Sequence, residues 1–275
     1  MKVSNARGWP LSVGSSPETL PTTAWMQSKR TVHPMETDRR LSGDVVGSNE
    51  ILEWVNSHSL IDENDVTVSI QHFLEQNDAT PMAERRLFLV AGELGNPYRL
   101  SDIGISMMPV IPIRLDGICR TWIDTMDSRE VQPGVHHVTL ARTDGWWERT
   151  LLALPDIKQM RKMTDWLNDG SQTAWRWCKL AEGGFSISQN ETLQPPTTDQ
   201  LLWDGELERV EDAPPSKTGP NLILEEVNVP LYTRQGIYDH RGRIARCVHY
   251  PQRRFHNDVY RRGSAKSWDD VISTQ

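Results

Sequence analysis

The chain has 275 residues, 37 acidic against 30 basic, for a net charge of −7, and 37% of its residues are hydrophobic. That length supports one large domain or two small ones with a sizeable core, and 11 tryptophans exclude wholesale disorder. No run approaches ~18 apolar residues, the first residues lack a positive–apolar–small leader pattern, and Cys119, Cys178 and Cys247 lie far apart. The expectation is a soluble intracellular protein with no membrane contact and no disulfide framework.

Residues 1–47 are rich in Ser, Thr, Pro and Gly and show no apolar period, which predicts a flexible arm whose large apolar residues, Trp9 and Trp25, are loosely packed or exposed. A mixed α+β body is expected over 48–188. Its first helix, "SNEILEWVNSH", has Ser48 as cap, Glu50 in the first turn, and Ile51, Trp54 and Val55 at helical spacing. A second covers 62–78, with Val66, Ile70, Phe73 and Leu74 on one face. A third begins at Pro155, carries Ile157, Met160, Met163, Trp166 and Leu167 as its buried stripe, and ends at Gly170.

Strand-like runs lie between these helices. Residues 86–92 form an apolar run closed by Gly. Residues 107–115 contain Pro109 and Pro112, so an edge strand or extended segment is expected. Residues 135–141 and 149–154 are placed to pair as a hairpin across Asp144–Gly145. Two Pro-Pro stretches then predict an extended, acidic linker over 189–220, with Leu201, Leu202 and Trp203 as a docking handle. A small β-rich basic module is expected over 221–275, with a turn at Asp239–Gly242.

The tail reverses the sign of the chain. Residues 234–263 hold eight Arg against two Asp, so the remainder carries 22 basic and 35 acidic residues. Arg241, Arg243, Arg246, Arg253, Arg254, Arg261 and Arg262 alternate with aromatics that include Tyr250 and Phe255. Guanidinium forks match phosphate geometry and aromatic faces stack on unpaired bases, so this pattern points to single-stranded DNA or RNA as partner. The alternative is a protein-interaction adaptor whose basic tail docks on an acidic surface, either a partner's or its own.

Composition carries a second signal. Eleven Trp stand beside four Phe and five Tyr, and 23 Arg beside seven Lys. Folding physics does not favour Trp over Phe so strongly, whereas a reading frame overlapping another gene produces such a bias. In size, soluble character and overprinted-looking composition the chain is similar to the second non-structural protein of insect densoviruses, which is encoded in a frame overlapping the replication initiator. The resemblance implies an accessory viral role and transfers no residue.

Two further constellations bear on chemistry. "GVHHVTLARTDGWWE" sets His136 and His137 near Asp144 and Glu148, and "HHVTL" resembles the opening strand of vicinal-oxygen-chelate enzymes, where a strand histidine binds a divalent metal. Neighbouring strand residues face opposite ways, so only one of the two histidines can serve a given ion. In the basic tail, His240, Cys247, His249 and His256 are four potential zinc ligands, with Cys247 and His249 on one face if that segment is a strand. Phosphate-binding glycine loops and nucleophile elbows are missing from the sequence. The expected function is therefore a non-enzymatic accessory protein without a cofactor, with a metal-dependent enzyme at 136–148 as the third reading.

Overall fold

Period-two alternation of apolar residues decides the centre of the molecule. The computed structural model describes residues 2–12, 17, 20–127, 134–169, 174–187, 193–263 and 265–275. Two long antiparallel strands, Met108–Asp127 and Val135–Ala153, form its spine. Along the first, Ile111, Ile113 and Leu115 point into one core and Met108 and Val110 into the other. Both faces are then covered, giving a mixed α+β fold. Helices Ser48–Asn56 and Ile70–Gln76 pack on the first face through Ile51, Trp54, Val55, Phe73 and Leu74. Helix Ile157–Asn168 packs on the second through Met160, Met163, Trp166 and Leu167.

The first long strand is central, where its prolines had predicted an edge. One side pairs with Val135–Ala153. The other is shared in succession by Trp25–Gln27 against 108–110, Gly184–Ile187 against 113–116, and Ile237 against Ile123. Each proline is accommodated by its position. Leu154 N–H donates to Pro109 C=O at 2.8 Å, so Pro109 faces the second strand and its missing N–H would have met Leu154 C=O. The buried Arg85 guanidinium supplies that donor instead, from Nη1 to Leu154 C=O at 2.9 Å, while its other nitrogens hold Thr80 C=O. Burial pulls the Arg85 pKa down to about 10. Pro112, three residues on, points its backbone away from its partner Leu151 and falls between the ends of the two neighbouring strands on the other side, where no strand among the described residues pairs with it.

The Asp144–Gly145 signal makes a bulge and not a hairpin turn. Residues 135–153 are one strand, and at its bend residues 143–146 stand opposite Gly117 alone. Gly117 and Gly145 both take positive φ, +72° and +71°. Left-handed backbone was legible in the Asp-Gly pair, but packing of the flanking strands on one partner chose its use.

Residues 25–36, expected within a mobile arm, are two strands of the central sheet, Trp25–Gln27 and Thr31–Glu36. Trp25 is fully buried and Trp9 half-buried. Val66 is exposed, since the segment before Ile70 is strand Thr67–Ser69 and the helix is shorter than its apolar period suggested. Gly47, not Ser48, precedes the first helix, and the Ser48 N–H is taken by the Glu226 carboxylate. The helix expected from Pro155 starts at Ile157, with Asp156 and Gln159 capping each other reciprocally. Ile157 is 45% exposed and leaves the buried stripe. Asp169 ends that helix at φ +44°, and Gly170 lies outside the described residues.

The acidic stretch after 193 is ordered against the body. Leu201–Trp203 and Glu208–Val210 form a hairpin, and Arg209 lies beside Asp144 of the bulge. Trp147 Nε1 donates to Gln194 C=O at 2.7 Å. Residues 221–275 likewise join the main cores: Phe255, Val259 and Ile272 pack in one and Ile237 and Val271 in the other. The boundaries expected at 189 and 221 therefore do not separate packed bodies. Among the described residues no helix is long and apolar enough to cross a membrane.

Candidate nucleic-acid interface

The basic segment sorts into buried anchors and exposed cations. Residues 252–262 are one helical stretch, beginning as α-helix (Gln252–Arg254), widening to a π-turn (Phe255–Val259) and tightening to a 3₁₀ turn (Tyr260–Arg262). The expected β-rich character is broken after Ile244 and returns only in the short strand Ala265–Lys266, which pairs with Ile237 and Tyr238, because Gln252, Phe255, His256 and Val259 have helical spacing and a shared core to enter. Phe255 stacks on Trp122 at 5.5 Å and meets His136 and Tyr238 edge-on. Trp122 Nε1 donates to Tyr250 C=O at 2.7 Å, closing the entry to the helix.

With one face so committed, the other faces solvent. Arg253, Arg254, Arg261 and Arg262 are exposed on it. Its one acid, Asp258, sits 4.0 Å from Arg254, both side chains more than half exposed, so the pair neutralises little. The Arg254 guanidinium also lies 5.1 Å from the Tyr250 ring centre, which leaves that half-buried ring partly covered. Arg241 is exposed in the turn between strands Ile237–His240 and Arg243–Ile244, at φ +57°. Arg243 is about half exposed, 3.8 Å from Glu208.

Two expected contact residues are corrected. Phe255 is fully buried and offers no face to a base. Arg246 is 2% exposed, bonded to Glu208 at 2.5 Å and to Thr143 Oγ1 at 2.8 Å, over the Trp146 ring at 5.1 Å. A guanidinium spent on that buried pair is not available to phosphate. Glu208 comes from the stretch read as linker, so this acid–base pair closes the hairpin onto the tail. Long-range pairing of this kind leaves no trace in local spacing.

The four potential zinc ligands are not brought together. Cys247 is in the core, His249 bonds Pro196 C=O at 2.9 Å and lies edge-on to Trp146, His240 lies near Tyr250, and His256 bonds His136. Residues 247–250 form a turn, with N–H of His249 and Tyr250 both directed to Arg246 C=O, so Cys247 and His249 do not share a strand face. The 136–148 constellation also diverges. His136 enters one core, His137 stands between Trp166 and Trp175 on the opposite face, Asp144 is exposed at the bulge, and Glu148 is buried beside Arg120 at 3.4 Å. Among the described residues no group of three or more His, Cys, Asp or Glu converges as a metal site.

A pair that sequence reading missed joins the two histidine-bearing segments. His136 Nδ1 is 3.0 Å from Ile123 C=O, an acceptor, so Nδ1 carries the proton and Nε2 accepts. His256 Nδ1, 3.0 Å from that Nε2, must then be the donor. Burial above all pulls the His136 pKa down to about 4, and the neighbouring His256 adds to the effect. His256 is lowered too, by burial and then by Arg261. The arginine helix is thus fastened to the spine by two neutral imidazoles. No family model matches this chain, and no curated protein or solved structure is matched by it.

Proposed function

We propose that the protein is a non-enzymatic accessory protein that engages single-stranded nucleic acid through the outer face of the 252–262 helix. The observation that carries this reading is the exposure of Arg253, Arg254, Arg261 and Arg262 on a helix whose inner face is anchored in the core. Guanidiniums on a fixed scaffold offer phosphate bidentate partners at reduced ordering cost. Arg241 and Arg243 extend the cationic surface, and Tyr250 offers a partial stacking face. The net negative charge of the remainder disfavours an extended polyanion over most of the other surface and so directs it to this face. The overprinted-looking composition agrees with an accessory role of the kind non-structural viral proteins fill.

Salt dependence tests the proposal on the full chain, because residues 221–275 share cores with the rest and cannot be assayed as a fragment. Each phosphate contact on a single strand contributes a log–log slope of about −0.7, so R253Q/R254Q should flatten the slope by about 1.4. The Tyr250→Ala change should weaken binding with little change in slope, since stacking releases no counterions. Absence of binding to a single-stranded oligonucleotide at about 50 mM salt, where phosphate contacts are strongest, would sink the reading. Docking on an acidic protein surface would then take its place.

A further inference from the structure

Pro112 marks a second place where the chain presents arginine. Its missing N–H falls in the gap between the ends of Trp25–Gln27 and Gly184–Ile187, so the spine there needs no strand beside it. A cleft of about 570 Å³ opens at this gap, within the range of small-molecule sites. Ala24, Met35, Trp54 and Pro112 form its apolar part. Arg39, Arg40 and Arg149 bring three positive charges to it and Glu36 and Asp38 two negative ones, a local excess of cation in a chain of net charge −7.

The loop carrying the first two arginines is held at both backbone polar atoms of Arg39. Its N–H donates to Thr37 Oγ1 at 3.1 Å, and its C=O accepts from Trp54 Nε1 at 2.8 Å. Trp54 itself is buried in the core, so the loop is tied to the body and not merely draped on it. Neither the Arg39 nor the Arg40 side chain is engaged in an ion pair or hydrogen bond among the described residues, and both are exposed. His58 closes the inner wall. Its Nδ1–H donates to Trp54 C=O at 3.0 Å, burial lowers its pKa and keeps it neutral, and Nε2 remains as an acceptor.

We propose that this cleft binds a small phosphomonoester carrying hydroxyl groups, a sugar phosphate or a mononucleotide. Arg39 and Arg40 take the phosphate as forked donors, and Glu36, Asp38 and His58 Nε2 accept from the hydroxyls. A simple anion site would gain nothing from two carboxylates in its wall, whereas a hydroxylated phosphate uses both signs. The cleft shares no residue with the arginine helix, so this proposal stands apart from the nucleic-acid reading.

Calorimetric titration of the full-length protein with ribose 5-phosphate, adenosine 5′-monophosphate and inorganic phosphate tests it. Ribose 5-phosphate or the nucleotide should bind more tightly than inorganic phosphate, and R39Q/R40Q should weaken that binding about tenfold or more, in keeping with lost charge-assisted bonds. Both positions are exposed, so the variant should keep the parent's melting temperature. Equal affinity for the two esters places recognition at the sugar phosphate, and a preference for the nucleotide adds the base. The variant R253Q/R254Q should titrate like wild type. Inorganic phosphate binding as tightly as the esters, unchanged affinity in R39Q/R40Q, or no heat from either ester up to about 5 mM, the limit of weak specific binding, would overturn the proposal.

Discussion

Acidification should loosen the arginine helix through one buried imidazole. His136 is inaccessible to solvent, its Nε2 is met by an N–H of His256, and Phe255 and Tyr260 pack on its ring at 4.8 and 4.7 Å. Protonating it would set N–H against N–H and place a charge among aromatic rings. Its folded pKa of about 4 lies below the ordinary 6.5, so between those values the unfolded chain binds more protons than the folded one. Stability from this group is therefore complete above pH 6.5 and is lost as pH falls toward 4. Between pH 7.5 and 4.5 the integrated proton difference comes to a little under two pH units at about 1.4 kcal/mol each, a loss of about 2.5 kcal/mol. Urea unfolding at pH 7.5 and 4.5, on wild type and on His136→Phe, isolates the imidazole pair, because every titrating group other than His136 and its partner His256 keeps its surroundings in both. Wild type should lose about 2.5 kcal/mol more than the variant over that interval. Amide exchange at residues 252–262 should rise in step in wild type. Parallel pH profiles for the two proteins would refute the argument, since the imidazole pair would then contribute nothing that titrates.

The remaining predictions concern packing. Leu167→Ala, at a buried position on the 157–168 helix, should cost about 2–5 kcal/mol in chemical denaturation, while Ile157→Ala on its exposed first turn should stay within about 0.5 kcal/mol; equal losses would place the helix in a different rotation. Arg85→Met should cost about 1–3 kcal/mol for each of the two carbonyls it strands, Thr80 and Leu154, and a loss under about 0.5 kcal/mol would show that Leu154 C=O does not depend on the guanidinium.

Local pattern by itself determined the helices at 48–56 and 157–168, the core of the one at 70–76 and much of the strand content, but not the helix at 252–262. Met160, Met163, Trp166 and Leu167 recur at helical spacing and do face a core, as do Ile51, Trp54 and Val55, because amphipathic period and burial are the same fact seen twice. Alternation likewise placed His136 and His137 on opposite faces. Charge counting found the arginine-rich tail, and nothing beyond counting was needed for that.

Only tertiary structure decided which of those arginines face water. Arg246 and Arg243 are three residues apart, yet Arg246 is buried because Glu208, 38 residues away, reaches it in the core. Pro109 and Pro112 read as edge residues because a proline lacks a ladder donor. The rule yielded at Pro109 because a distant arginine supplies the bond, and at Pro112 because neighbouring strands stop short of it. Trp25, in a segment without apolar period, is buried because strand pairing along the spine recruits it. Each of these outcomes rests on a contact between segments far apart in the chain. Such contacts depend on where the whole chain packs, and a local window of residues carries no record of its partner.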